Sequence, residues 1–364
     1  RPAKKRSPAA AVLLAVLCLL LLAVSRYLDS RSEPAASVSA PEAAQADASG
    51  LEVHFLDIGQ GDSALLFCGD ETLLIDGGKV KNNQKLIARL KELEVDHLDA
   101  VICSHPDEDH CGGLSAVLAS TQTDAFYCSV DSWHTKAFSD VTKYVAEQGI
   151  SVTVPQAGDS FAFGEASVEF LGPVEDYGDD PNEGSLVARV RYGETSFLFT
   201  GDMGFEAEDD MLAAGVDVSA TVLKVAHHGS AGSSSTEFLQ AVHPQYAVIS
   251  VGADNDYGHP TEAALNRLSA CGIPVYRTDL LGEIIAVSDG KTVTITSASN
   301  EAPPASDAAS QTAGSYGYVG NSSSKVVHLA SCGKLPGESN RVYFASLDEA
   351  LAAGYRKHAS CLGS

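Results

Sequence analysis

The sequence predicts an α/β (α+β) fold in which two mixed β-sheets pack face to face with helices outside. Three observations predict it. From residue 51 to 297, apolar runs of strand length alternate with stretches of helical period. These elements fall into two halves, as a sandwich of two sheets requires. Residues able to bind metal or move protons stand just after strand-like runs, at the strand mouths.

Composition bounds the function. The chain has 364 residues and 45% hydrophobic content, enough for one large domain with appendages. Its formal charge is −24. Nucleic-acid binders usually carry a basic footprint, so any DNA contact here must be local, metal-mediated or weak. Cys18, Cys68, Cys103, Cys111, Cys128, Cys271, Cys332 and Cys361 form no dense disulfide framework. The core cysteines read as small buried hydrophobes.

At the N-terminus, Arg1, Lys4, Lys5 and Arg6 precede an apolar run from Ala9 to Val24. That run is close to the lower length limit of a spanning helix, about 17 residues. Residues 1–28 are expected to be a single-pass membrane anchor with the basic end in the cytoplasm and the bulk outside. A cleaved signal, giving a secreted protein, is the alternative. Ser25-Arg26-Tyr27 is a poor cleavage site. Residues 29–50, rich in Ala, Ser, Pro and acidic residues, read as a flexible tether.

The domain opens with the alternating strand Leu51–Asp57, on which His54 reads as an ordinary strand residue. Gly59-Gln60-Gly61-Asp62-Ser63 is a tight turn before the strand Ala64–Cys68. The strand from Thr72 ends in Asp76-Gly77-Gly78, and Lys85–Leu93 has an amphipathic stripe. The apolar run Leu98–Ile102 leads into Ser104-His105-Pro106-Asp107-Glu108-Asp109-His110-Cys111-Gly112-Gly113. Two imidazoles and three carboxylates thus crowd one turn, a ligand mix that suits zinc, manganese or iron. A helix (Leu114–Ala119) and further alternating elements follow, with His134 in a loop.

In the second half, Asn182 and Ser185 end an acidic, Gly-rich loop. The strand Ser196–Thr200 delivers Gly201-Asp202. Thr221–Ala226 delivers His227-His228-Gly229-Ser230, and Tyr246–Val251 leads to Tyr257-Gly258-His259-Pro260. Two histidines beside a Gly-Ser turn point to one ligand, His228, and one proton shuttle or phosphate contact, His227. Asp202 reads either as a ligand or as a helix N-cap. Ser230, Ser233, Ser234 and Ser235 line an entrance or cap the next helix. Val275–Thr278 reads as a strand.

His105-x-Asp107-x-Asp109-His110 followed by Gly-Gly resembles the metal motif of the metallo-β-lactamase fold, whose usual form is His-x-His-x-Asp-His. The Asp at the second position resembles the hydrolase domain of ComEC-type competence (DNA-uptake) proteins and their free-standing relatives. The likeness covers residues 51–297. It implies an αββα sandwich holding two divalent cations, zinc or manganese. The implied ligands are His105, Asp107, Asp109, His110, Asp202 as the bridge, His228 and His259. It implies that Asp76 and Asp62 support those ligands. It assigns proton transfer to Asp109 and His227, and a substrate or water contact to Asn182. The fold's usual third metal histidine is missing near Ser185, which bears on the second cation. The implied activity is phosphodiester hydrolysis with DNA as substrate. A cell-surface phosphodiesterase of phosphocholine type and a non-catalytic DNA- or wall-binding scaffold are the alternatives.

Residues 298–315 read as a second linker. Residues 316–364 resemble the short Ada-like metal-binding module appended to secreted nucleases. His328, Cys332, His358 and Cys361 are its four candidate ligands for one structural zinc. So small a module gains from such a staple. A Cys332–Cys361 disulfide is the alternative.

Overall fold

In the first half the chain alternates between strands and the helices that cover them. Strands β1 (Leu51–Phe55), β2 (Ala64–Cys68) and β3 (Glu71–Ile75) form an antiparallel meander. Helix α1 (Asn83–Glu92) crosses to β4 (His97–Cys103), which runs parallel to β3. The short α2 (Glu108–Cys111) and α3 (Leu114–Ser120) lead to β5 (Gln122–Cys128). Helix α4 (Lys136–Glu147) leads to β6 (Val152–Thr153). This computed structural model describes residues 50–253, 255–299, 318–329, 332, 334–337, 340–344 and 347–362. They fall within one unit, Ala48–Ser364.

The second half begins with β7 (Ser160–Phe163), β8 (Ala166–Gly172), β9 (Val187–Tyr192) and β10 (Thr195–Phe199), all antiparallel. After α5 (Phe205–Ala213), strands β11 (Val222–Lys224), β12 (Tyr246–Ile249) and β13 (Val275–Arg277) continue parallel to β10. Helices α6 (Thr236–Val242) and α7 (Glu262–Ala270) lie between them. After α8 (Thr278–Leu281), β14 (Ile284–Ser288) and β15 (Val293–Ser297) return to the first sheet beside β1. The sheet orders are β15-β14-β1-β2-β3-β4-β5-β6 and β13-β12-β11-β10-β9-β8-β7.

The apolar runs lack a polar face because both faces of each sheet are covered. In β2, Leu66 joins the core between the sheets while Leu65 packs under α1, α3 and α4. In β10, Phe197 and Phe199 face the first sheet while Leu198 faces the α5–α7 layer. Burying each such side chain contributes about 1.5–3 kcal/mol. The result is the four-layer αββα sandwich that the sequence predicts.

Two local expectations change. The strand expected over 275–278 stops at Arg277, because Thr278 Oγ1 donates to Val251 O at 3.0 Å and accepts from Val251 N at 2.9 Å. Those bonds draw the chain out of the sheet and into α8. The helix after Asp202 starts at Phe205 with Gly204 at its N-cap, so Asp202 is not a cap.

The C-terminal part folds as a third sheet. Its strands are β16 (Tyr318–Asn321), β17 (Val326–Leu329), β18 (Arg341–Phe344) and β19 (Arg356–Lys357), in the order β18-β16-β17-β19. Helices α9 (Leu347–Ala352) and α10 (Ala359–Leu362) accompany it. Val327, Val342, Phe344, Ala350 and Tyr355 form its small core. The anchor expected at 1–28 lies outside the described residues, as do both linkers except for a few end positions. Among the described residues no helix is long and apolar enough to cross a membrane.

Candidate metal centre

The parallel strands β3, β4, β10, β11 and β12 all end on one side of the sandwich, and their C-terminal ends carry the ligand candidates. Asp76 lies one residue past β3, in left-handed conformation at φ 59. Its Oδ1 accepts from Ser104 N at 2.7 Å, and its Oδ2 accepts from Ser104 Oγ at 2.8 Å. His110 Nδ1 approaches the same Oδ2 at 2.9 Å. A carboxylate there leaves the proton on Nδ1, so His110 presents the Nε2 lone pair to the pocket.

The same logic orients the other two buried imidazoles. Ser104 gives its proton to Asp76, so Ser104 Oγ accepts from His105 Nδ1 at 3.0 Å. Ser185 Oγ accepts from Asp202 N at 3.1 Å and lies 3.3 Å from His105 Nδ1. His228 Nδ1 donates to Ser250 O at 2.9 Å, with Asp62 Oδ1 3.1 Å away. All three imidazoles therefore turn Nε2 inward.

Inside the pocket these atoms meet carboxylates. His110 Nε2 lies 3.0 Å from Asp202 Oδ1. His228 Nε2 lies 3.6 Å from Asp202 Oδ2 and 3.7 Å from Asp109 Oδ2. His105 Nε2 lies 3.9 Å from Asp107 Oδ2, and the more exposed His227 Nε2 lies 3.6 Å from Asp202 Oδ2. Yet His105 Nε2, His110 Nε2, His228 Nε2 and Asp202 Oδ1 are buried without a hydrogen-bond partner. Unpaired buried polar atoms are costly, so the facing His110, His228 and Asp202 atoms call for a shared cation, while His105 Nε2 faces Asp107. Ligands on one tetrahedral ion, at bonds of about 2.1 Å, stand about 3.4 Å apart, close to these separations. The imidazole and carboxylate set fits divalent zinc, manganese or iron.

Charge in the pocket is finely opposed. Burial works to raise Asp202, but His110 and His228 beside it outweigh that and hold its carboxyl well below the usual range. Burial works to lower His110, but Asp202 and Asp76 outweigh it and push the imidazole well up, so a cation at Nε2 would take the place of a proton. Burial and the neighbouring His110 hold His105 well below its ordinary value. Burial and the Asp109 charge push Asp107 up.

Strain accompanies the geometry. His227 and His228 adopt φ 52 and φ 53 in succession, the left-handed region that side chains avoid. Gly229 continues the bend, and a Cβ there would strike Pro260 at 2.6 Å. Asp62 N donates to Asp109 O at 3.0 Å, and a Cβ on the adjacent Gly61 would run into that carbonyl.

The structure thus gathers His105, Asp107, Asp109, His110, Asp202, His227 and His228, with Asp62 and Asp76 behind them. His259 stands at the rim, its ring 5.5 Å from that of His227. Burial and the two neighbouring histidines bring its pKa down to about 4. Asn182 makes no described contact with the cluster. Asp180 holds its loop, and Ser185, three residues on, is the residue that reaches His105. Ser235 caps α6 and Ser233 and Ser234 are buried, so of the four serines only Ser230 is left near the surface. His134 is exposed beside Trp133.

Sequence reasoning passed over Ser104, Ser250 and Lys224. Lys224 is 3% exposed, and its Nζ lies 2.7 Å from Asp62 Oδ2. A charged residue inside an apolar strand run was the available signal.

Comparison with known proteins agrees. The model of the metallo-beta-lactamase superfamily matches residues 56–253, more than half of the chain. The chain belongs to this superfamily. Within it, the chain is 34% identical over 285 residues to "Competence protein ComA" of Neisseria gonorrhoeae, covering 76% of this chain and 38% of that protein. It is 31% identical over 251 residues to "ComE operon protein 3" of Bacillus subtilis, covering 64% and 32%. The chain therefore spans about a third of the length of these curated relatives. The ComEC-type resemblance stands. The metallo-beta-lactamase fold protein YhfI of Bacillus subtilis aligns over 68% of this chain and 100% of its own, at 14% identity and TM-score 0.45. Superfamily membership implies divalent metals and hydrolase chemistry in general.

At the C-terminus, His328, Cys332, His358 and Cys361 offer ligand atoms that all lie within 4.8 Å of one another. Cys332 and Cys361 are not bonded to each other. His358 Nδ1 lies 3.2 Å from Cys361 Sγ and 3.7 Å from Cys332 Sγ.

Proposed function

We propose that the chain is an extracytoplasmic, metal-dependent phosphodiesterase acting on DNA in a competence-like role. The observation that carries this reading is the inward convergence of the unpaired His110 and His228 Nε2 atoms on Asp202, with the unpaired His105 Nε2 facing Asp107. Asp109, His110 and His228 would hold one divalent cation, and His105 and Asp107 a second. Asp202 would bridge them. Cations so placed supply Lewis acidity and lower the pKa of a bound water.

The chain's own residues do the rest. His259, neutral at the rim, accepts or passes a proton beside His227. Lys79 Nζ, 3.8 Å from Asp109 Oδ2, brings positive charge to the mouth of an otherwise acidic pocket. Similarity to the competence proteins supports DNA as substrate. Residues 1–28 would tether the domain to the membrane, and the four C-terminal ligands would hold one structural zinc.

A small-molecule phosphodiesterase of phosphocholine type is the second reading. The charge of −24 favours it, as does a cleft lined by Glu175, Asp176 and Asp180, Tyr177 and Trp133. The purified chain, assayed with added manganese or zinc on single-stranded DNA and on a small chromogenic diester, separates the two. Asp202→Ala is expected to abolish turnover of both. Full activity in that variant would reject the proposal.

A further inference from the structure

Five carboxylates, those of Asp62, Asp76, Asp107, Asp109 and Asp202, surround the centre, and one ammonium is buried among them. That ammonium belongs to Lys224, the last residue of β11. Its Nζ donates to Val225 O at 2.8 Å and lies 2.7 Å from Asp62 Oδ2. A buried ammonium is costly unless paired, so this lysine is held by its carboxylate and the carboxylate by it.

The geometry points to Lys224 and Asp62 as a single positioning unit that sets the metal affinity of His228. The inference rests on the metal-centre reading given above. Asp62 touches two candidate ligands from different parts of the chain. Its main-chain N–H donates to Asp109 O at 3.0 Å, and its Oδ1 stands 3.1 Å from His228 Nδ1. Lys224 occupies the other oxygen. One oxygen of this carboxylate therefore takes the Lys224 ammonium, and the other stands beside His228 Nδ1, whose proton goes to Ser250 O. The Asp62 charge beside Nδ1 reinforces the Ser250 carbonyl in keeping the proton on Nδ1, which leaves Nε2 free to bind a cation. Lys224 fixes the plane of the carboxylate and neutralises it, so the charge that remains in the pocket is that of the ligands. The hydrogen bond that holds the same nitrogen, 2.9 Å from Ser250 O, goes to a neutral carbonyl, so the charge beside it comes from Asp62.

The unit makes a prediction that a purely structural pair would not. In Asp62→Asn one acceptor becomes an NH2, which must face either the Lys224 ammonium or His228 Nδ1. In Lys224→Met the Asp62 charge loses its partner. The parent full chain, both single variants, the double variant and Lys224→Arg are compared for affinity toward manganese and zinc alone, by competition with a fluorescent chelator. Each single variant is expected to weaken binding about 10–100-fold. The double variant is expected to weaken it no further than either single, as members of one unit do. Lys224→Arg, which keeps the charge, is expected to regain part of the loss. Near-ultraviolet circular dichroism identifies any variant that fails to fold, and the test then rests on Asp62→Asn and Lys224→Arg. Unchanged affinity in the folded single variants, or strictly additive losses, would overturn the inference. The readout needs no substrate. A parent that binds metal but cleaves no diester would remove the proposed function and leave this inference standing. A parent that binds no metal would remove both.

Discussion

His110 Nδ1 and Asp76 Oδ2 lie 2.9 Å apart, joined across 34 residues of chain. The same carboxylate also takes the main-chain N–H and the hydroxyl of Ser104. Three donors thus share one buried side chain, and an asparagine would offer a single acceptor oxygen. Asp76→Asn is expected to weaken metal binding about 10–100-fold. It should also lower stability by about 1–3 kcal/mol through unmatched buried donors. Chelator competition and denaturant unfolding measure the two effects separately.

Removing metal should lower stability in a graded way. A cation that binds the folded state alone stabilises it by about 2.7 kcal/mol at a hundred times its dissociation constant. The parent is expected to lose several degrees of melting temperature on chelation and to recover them when manganese or zinc is restored. In Asp202→Ala this response should shrink sharply, since the carboxylate that would hold the cations is gone. A melting temperature indifferent to chelator in the parent would count against a metal centre.

Away from the site, His54 lies between Glu52 at 2.6 Å and Glu283 at 2.7 Å. Burial works to lower its pKa, but the two glutamates outweigh that and raise it. A raised imidazole stabilises the fold fully below its unfolded value of 6.5, and that stability is lost as pH rises through the folded value. The hydrogen bond from His54 lowers Glu52, whereas Glu283 is lowered by His54 and Arg89 against burial. Their contribution is present above the ordinary value of 4.5 and is lost as pH falls through the lowered values. The trio should therefore favour the folded state most between pH 4.5 and 6.5. Denaturant midpoints of the parent and His54→Gln are expected to differ most in that window and to converge above it. A difference independent of pH would show that packing alone is at stake.

In the C-terminal sheet, a core of five buried side chains is too small to stand comfortably alone. Cys332→Ser is expected to remove about one equivalent of zinc per chain, since structural sites of this ligand type are four-coordinate. Residues 318–362 should then become sensitive to protease at a dose that the parent resists. Unchanged zinc content would show that the four side chains cluster without binding it.

Part of this site was legible because it is local. His105, Asp107, Asp109 and His110 lie within six positions, and a strand ending in a turn leaves them little choice but to share a pocket. Asp202 and His228 were legible because each follows a strand, and parallel strands bring their ends to one side. Asn182 was suggested by residue type and loop position; its Oδ1 is buried without a hydrogen-bond partner, and Ser185, three residues on, reaches His105. Ser104 and Lys224 were passed over because a hydroxyl or an ammonium in a strand run has no meaning until its partner is known.

By itself, then, the sequence determined the strand and helix pattern, the two-sheet architecture and most of the candidate ligands. These follow from side-chain period and from residue chemistry, which are properties of short stretches. Only the tertiary structure decided which nitrogen of each histidine faces the pocket, that His227 and His228 are held in left-handed conformation, and that Lys224 sits under Asp62. Such facts depend on donors and acceptors meeting at about 3 Å from distant parts of the chain, and packing alone sets those distances.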